Sequence, residues 1–271
     1  MHKNKVAITI PFYKETLSDF EEISLKRCFE VLGKYPIIIF KPASLDLSWL
    51  VSKNSHIRLL NFHDSYFSDI QGYNRLMLSE HFYHQFLEFE YILIYQLDAF
   101  VFKDELMYWC SKNFDYIGAP WLTDYKYPDI FKRMKEHILQ IIHIYFNIKE
   151  KSNSLYPSLR QFRNSVGNGG FSLRRVKKFY DVCKNQKELI DYYNQNDHHF
   201  FNEDVFFSLE INRKIKHLRI PNYKLAAKFA VETFPQVGLQ INNHDLPFGC
   251  HDWDRFSDFW RPHFKRAGYH I

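Results

Sequence analysis

The chain has 271 residues, 46% of them hydrophobic and 18% aromatic, with only 9 Gly and 10 Pro, which excludes a disordered or collagen-like polymer and allows a substantial core. Its formal charge of +5, from 36 Lys and Arg against 31 Asp and Glu, favours anionic ligands but falls short of a nucleic-acid footprint, so no nucleic acid is expected as a partner. No run approaches the ~20 apolar residues of a membrane helix, and the apolar run that stops at Pro11 is too short for a signal-peptide core. Cys28, Cys110, Cys183 and Cys250 are too widely separated for a paired-cysteine zinc signature, so reduced cytosolic thiols are the expectation.

Residues 6–10 form a β-branched run that predicts a strand, residues 17–32 carry apolar positions near helical spacing, and residues 36–40 predict a second strand. This order opens a parallel, nucleotide-binding type of sheet, with residues 11–15 at its ligand edge. Residues 56–61 predict another strand, and Gly72 a turn into a helix that carries Arg75. Residues 91–97 predict a strand apolar on both faces, as in a helix-covered sheet, with the one ionisable residue, Asp98, at its end. Ligands of such sheets sit beyond the carboxyl ends of the strands, so Asp98 is placed to face a ligand or a metal. The plainer alternative is a turn cap or a pair with Lys103.

Residues 116–121 predict a short strand ending at Pro120 and Trp121. Over residues 122–164 the composition shifts to Lys, Tyr, His and Asn, with an amphipathic segment at 130–148. That pattern predicts an insertion, either a lid or acceptor-binding flap or a surface hairpin without a catalytic role.

Val166-Gly-Asn-Gly-Gly-Phe-Ser-Leu-Arg174 places three glycines in four residues ahead of a basic stretch predicted to be helical over 175–183. Missing side chains would let a ligand approach the backbone, and amides at a helix start suit an anion or a hydroxyl-rich ligand. A tight structural turn explains the same glycines. Glu203 and Asp204 precede an apolar run predicted to be helical through Ile211, either as first-turn acids or as a carboxylate held where a general base works. His251 is either structural or the nitrogen partner that Asp98 needs in a metal site. Residues 255–269 combine Arg255, Arg261, Lys265 and Arg266 with Phe256, Phe259, Trp260 and Phe264. They pack on the sheet or rest on an anionic membrane.

Taken in order, Ile8-Thr-Ile-Pro-Phe-Tyr13, Gln71-Gly-Tyr-Asn-Arg75, Tyr95-Gln-Leu-Asp-Ala-Phe100, the glycine segment 167–174, Asn202-Glu-Asp-Val-Phe206 and Phe248-Gly-Cys-His251 resemble a bacterial glycosyltransferase family long known as a domain of unknown function (DUF5672-like). The resemblance spans nearly the whole chain and belongs to the GT-A group. It implies one α/β domain over residues 1–271, with a mixed, mostly parallel sheet flanked by helices. The implied activity transfers a hexose from a nucleotide diphosphate donor, UDP-linked, to a hydroxyl of a glycan or lipid-linked acceptor. It implies inversion and a role in bacterial surface polysaccharide synthesis, lipopolysaccharide or capsule, at a cytoplasmic site that can touch the inner face of the membrane.

Residue by residue, Asp98 matches the last acid of an Asp-any-Asp motif, and Gln96 stands where the first acid would be. Asp98 and His251, with two phosphate oxygens, would hold Mn²⁺ or Mg²⁺. Pro11, Phe12 and Tyr13 would lie near the base and ribose, and Gln71, Asn74, Arg75, Gln96 and Leu97 would contact the donor. Asn168, Gly169, Gly170 and Trp121 would line the sugar and acceptor pocket. Asp204 matches the catalytic base, with Glu203 as the alternative. The rival readings are a sugar nucleotidyltransferase and a non-catalytic carbohydrate- or nucleotide-sugar-binding protein.

Overall fold

The computed structural model describes residues 4–53, 56–125 and 127–271. Nine strands are described: β1 (Asn4–Pro11), β2 (Ile37–Pro42), β3 (Ile57–Phe62), β4 (Phe89–Tyr95), β5 (Phe100–Val101), β6 (Tyr116–Ile117), β7 (Phe171–Arg175), β8 (Ala230–Val231) and β9 (Gly249–Cys250). The main sheet runs β3-β2-β1-β4-β7-β6. Strands β1, β2, β3 and β4 pair in parallel, with Ile8 opposite both Ile37 and Leu93, whereas β7 is antiparallel to β4 and β6. A second sheet, β5-β9-β8, lies just beyond the end of β4 in sequence.

The uninterrupted apolar runs follow from burial on both faces. Val6, Ile8 and Ile10 of β1 join one core layer with Leu25, Cys28 and Leu32 of the helix Asp19–Leu32. Ala7 of β1 and Ile38 and Phe40 of β2 join the other, with Leu76, Phe82, Phe86, Phe179 and Phe207. The helix Asp19–Leu32 starts where the sequence provides a reciprocal cap: Ser18 accepts from the Glu21 amide, and the Glu21 carboxylate accepts from the Ser18 amide at 2.7 Å. All four cysteines are free and buried.

One expectation changes. The glycine segment runs into strand β7, and the helix begins only at Val176, at the far end of that strand. Leu93, Ile94 and Tyr95 of β4 capture Leu173, Ser172 and Phe171 as ladder partners, so no helix amides face the glycines. The C-terminal helix Ser257–Arg266 takes the packing alternative: Trp260 and Phe264 are fully buried, and Phe264 stacks on Phe100 with ring centroids 3.9 Å apart. Among the described residues, no helix is long and apolar enough to cross a membrane.

Candidate active site

Because β7 runs antiparallel to β4, its first residue lies opposite the last residue of β4, Phe171 against Tyr95. The Gln96 amide then donates to the Gly170 carbonyl at 2.9 Å, which joins segment 96–98 to segment 168–170. The pairing of β9 with β5 delivers His251 to the same place. A fourth element, the helix Glu203–Ser208, is fixed from outside: Asn74 accepts from the Glu203 amide at 3.1 Å and donates to Asn202 at 2.9 Å. Together these segments border a cavity of about 460 Å³ lined by Tyr13, Tyr73, Gln96, Gly170, Asp204 and His251, among others.

The two neighbouring acids have different surroundings. Glu203 is buried and pairs with the fully buried Arg174, Oε1 to Nη2 at 2.9 Å. Arg174 also donates to Tyr83, Ser172 and the Gly169 carbonyl, so this ion pair ties the helix start to the glycine segment. Among the described residues Asp204 has no ion-pair partner; its Oδ1 accepts from the Val205 amide at 2.7 Å. Burial, followed by the charges of Glu203 and Glu232, pushes its carboxyl well above the ordinary range. An elevated carboxyl is what a general base near neutral pH needs.

His251 sits between two acids. Its Nε2 lies 3.0 Å from Asp98 Oδ1 and 3.1 Å from Gln96 Oε1, and its Nδ1 lies 3.2 Å from Glu232 Oε1. Burial works against a charged ring, but Asp98 and Glu232 outweigh it and raise the histidine well above its ordinary value. Burial likewise works against the Asp98 carboxylate, and the His251 charge outweighs it and lowers the pKa. Asn168 donates to Glu232 at 2.7 Å and holds this carboxylate against the ring.

The glycines are required by the protein's own side chains. A Cβ at Gly169 would lie 2.2 Å from Glu203 Oε1, and one at Gly170 would lie 1.9 Å from His251 Nε2. Both glycines line the cavity, as does Asn168.

Several expected contacts lie elsewhere. Phe12 does not offer a face to a base, because β1 is still paired there and its ring is buried in the core; Leu97 is likewise core. Pro11 is the last residue of β1 and is buried, leaving Tyr13, 44% exposed, as the accessible ring of that loop. Gln71 donates to the Asp197 carbonyl, and Arg75 lies 4.0 Å from Asp69; neither lines the cavity. Trp121 covers Gly167 and packs edge-on against Phe162. Asp98 pairs with His251 rather than with Lys103, which pairs with Glu105. Glu232 and Tyr73 were not anticipated: Glu232 follows a two-residue strand with no motif around it, and Tyr73 was read only as part of a turn-to-helix segment.

Asp98 Oδ1 is buried with His251 Nε2 as its near partner at 3.0 Å, and Glu232 accepts at Nδ1, the arrangement that orients a metal-bound imidazole. One oxygen and one nitrogen fit Mn²⁺ or Mg²⁺ once a ligand completes the shell. Among the described residues no group of three or more His, Cys, Asp or Glu could hold a metal alone.

A GT-A-like α/β fold, with a mixed, mostly parallel sheet and its cavity at the carboxyl ends of β1 and β4, defines the class. The chain belongs to the family described as "Protein of unknown function (DUF5672)", whose model matches residues 56–251. No curated protein matches it. Among solved structures, the chain is similar to the galactosyltransferase LgtC in complex with donor and acceptor sugar analogs, with a TM-score of 0.51, 11% identity, and coverage of 90% of this chain and 86% of that one. The core-mannan synthase A (CmsA/Ktr4) from Aspergillus fumigatus, in its Mn/GDP form, gives 0.49 and 8%, covering 77% of this chain and 70% of that one. The glycosyltransferase GlyE from Streptococcus pneumoniae TIGR4 gives 0.49 and 10%, covering 92% of this chain and 54% of that one.

Proposed function

We propose that the chain is a nucleotide-sugar-dependent glycosyltransferase, one domain over residues 1–271 with residues 122–164 as an insertion. The observation that carries this reading is a single cavity bordered by an elevated, unpaired carboxyl, Asp204, and by His251, which touches Asp98. Asp204 takes the proton of an acceptor hydroxyl, the freed oxygen attacks the anomeric carbon from the face opposite the donor phosphate, and the bond to the diphosphate breaks with inversion. Asp98 and His251 would hold a divalent cation, which supplies positive charge to the departing diphosphate. Tyr13 offers an aromatic face to the nucleotide base, and Asn168 fixes Glu232 so that the ring of His251 stays oriented. Glu203 positions the glycine segment through Arg174 and is not the base. A UDP-hexose donor, a glycan or lipid-linked acceptor in bacterial surface polysaccharide synthesis, and a cytoplasmic location complete the proposal.

The test is a panel of UDP- and GDP-hexoses, with and without Mn²⁺, read by release of nucleoside diphosphate. Release that depends on Mn²⁺ and disappears in Asp204→Asn supports transfer. Donor binding without release, with or without candidate acceptors, would make the chain a nucleotide-sugar-binding protein instead.

A further inference from the structure

The helix Ile130–Tyr145 is mounted with its polar side inward. Glu136 lies 3.1 Å from Arg160 and 3.3 Å from Arg163, Gln140 donates to the Arg163 carbonyl at 2.6 Å, and His143 lies 2.6 Å from the Ser158 hydroxyl. No residue of this helix is buried. Its apolar side faces solvent: Phe131 is 79% exposed, and Met134, Ile138, Ile141 and Tyr145 each about half. At about 1.5 Å per residue this stripe runs for roughly 24 Å, and Phe146 extends it past the helix end. An amphipathic helix of a water-soluble domain normally turns the other way.

Charge identifies what covers it. Lys132, Arg133 and Lys135 are exposed, and none of them forms an ion pair among the described residues. On a helical wheel of 100° per residue, Lys135 and Arg133 flank the apolar arc from opposite sides. The one acid within the helix, Glu136, is turned inward and neutralised, so the three cations outnumber the single exposed acid at its start, the cap Asp129. A second copy meeting this face about a two-fold axis would oppose those cations to themselves. Nor is the segment a cover for the site, since no described residue of 122–164 lines that cavity.

We infer that the helix Ile130–Tyr145 lies in the plane of an anionic membrane, its apolar stripe among the acyl chains and its lysines and arginine at the lipid phosphates. This inference does not rest on the reaction proposed above.

The experiment is co-sedimentation of the full chain with phosphatidylcholine vesicles, with and without phosphatidylglycerol, at low and high salt. Binding to the anionic vesicles that weakens with salt is expected. The variant Lys132→Gln/Arg133→Gln/Lys135→Gln should partition roughly 100-fold less onto them, from about 5-fold per charge. Phe131→Ser/Ile138→Ser/Ile141→Ser should lose binding while melting close to the wild-type temperature, because these side chains are at least half exposed. A wild-type protein that stays in solution with anionic vesicles at low salt overturns the inference. So does either variant binding like wild type, a large fall in the melting temperature of the serine variant, or a wild-type dimer that the serine variant converts to monomer.

Discussion

Replacing Asp204 by Asn tests the site on two axes at once. In the wild type the carboxyl is buried beside Glu203 and Glu232, and its pKa stands well above the ordinary value of 3.8. A folded-state pKa raised above the unfolded one means that the contribution to stability is full below the unfolded value and is lost as pH rises through the folded one. At neutral pH the protein therefore carries a deficit, read as a lowered melting temperature at about 2–4 °C for each 1 kcal/mol in a domain of this size. Asparagine has no such charge, and its side-chain oxygen can still accept from the Val205 amide. Thermal melts across pH should show Asp204→Asn as the more stable protein at neutral pH, with the difference closing as pH falls towards 3.8. Turnover should fall by about 10²–10⁴ while donor affinity changes by only a few fold. In the wild type, kcat/KM should rise with pH as Asp204 ionises. A variant less stable than wild type at neutral pH, or one with undiminished turnover, would refute the assignment.

Glu203→Ala should behave oppositely, losing about 3–5 kcal/mol because it strands the buried Arg174 charge, and a melting temperature within a degree of wild type would show that the pair is not what holds the helix start. Gly170→Ala would place a carbon 1.9 Å from His251 Nε2 and 2.4 Å from Gln96 Oε1, so about 1–3 kcal/mol of stability and most donor affinity should be lost, as melts and titration with a nucleotide sugar can check. In the metal-free protein His251 has a raised pKa, so its contribution is full below 6.5 and lost as pH rises through the folded value; Asp98→Ala should flatten that decline in melting temperature. The same variant should bind UDP more weakly in the presence of Mn²⁺ and bind uridine unchanged, as isothermal titration can measure.

The fold was legible wherever burial imposes a pattern. The β-branched runs of β1, β2 and β4, and the Ser18–Glu21 cap before an apolar helical stretch, require only local reading. Strand β7 was not legible in that way. Residues 171–183 have no break between strand and helix, and the strand exists because β4 presents an open edge there. The same non-local pairing explains the glycines: read alone they invite a ligand, whereas the side chains that exclude a Cβ come from Glu203 and His251, 34 and 81 residues on (203 − 169 and 251 − 170). Asp98 and Asp204 were singled out because each stands at the edge of an apolar run and His251 as the partner Asp98 needs, whereas Glu232 follows a two-residue strand that leaves no periodicity.

The charge of the assembled site bears on the chemistry in a way that no single motif does. Asp69, Asp98, Glu203, Asp204 and Glu232 bring five carboxyl groups to the cavity and its walls, against the charges of Arg174 and His251, so acids predominate. Burial and the charges of Glu203 and Glu232 favour the neutral form of Asp204, which lessens this excess without reversing it. The Arg174 charge is already committed to Glu203 and His251 is shared between two acids, so neither is free to receive a diphosphate. The cations of the insertion helix do not line the cavity. A dianionic donor entering such a pocket would meet repulsion strengthened by burial, which a divalent cation held by Asp98 and a neutral His251 would offset. The proposed cation would meet that need whether or not Gln96 is replaced by a second acid, because the deficit is one of charge at the phosphates rather than of ligand count.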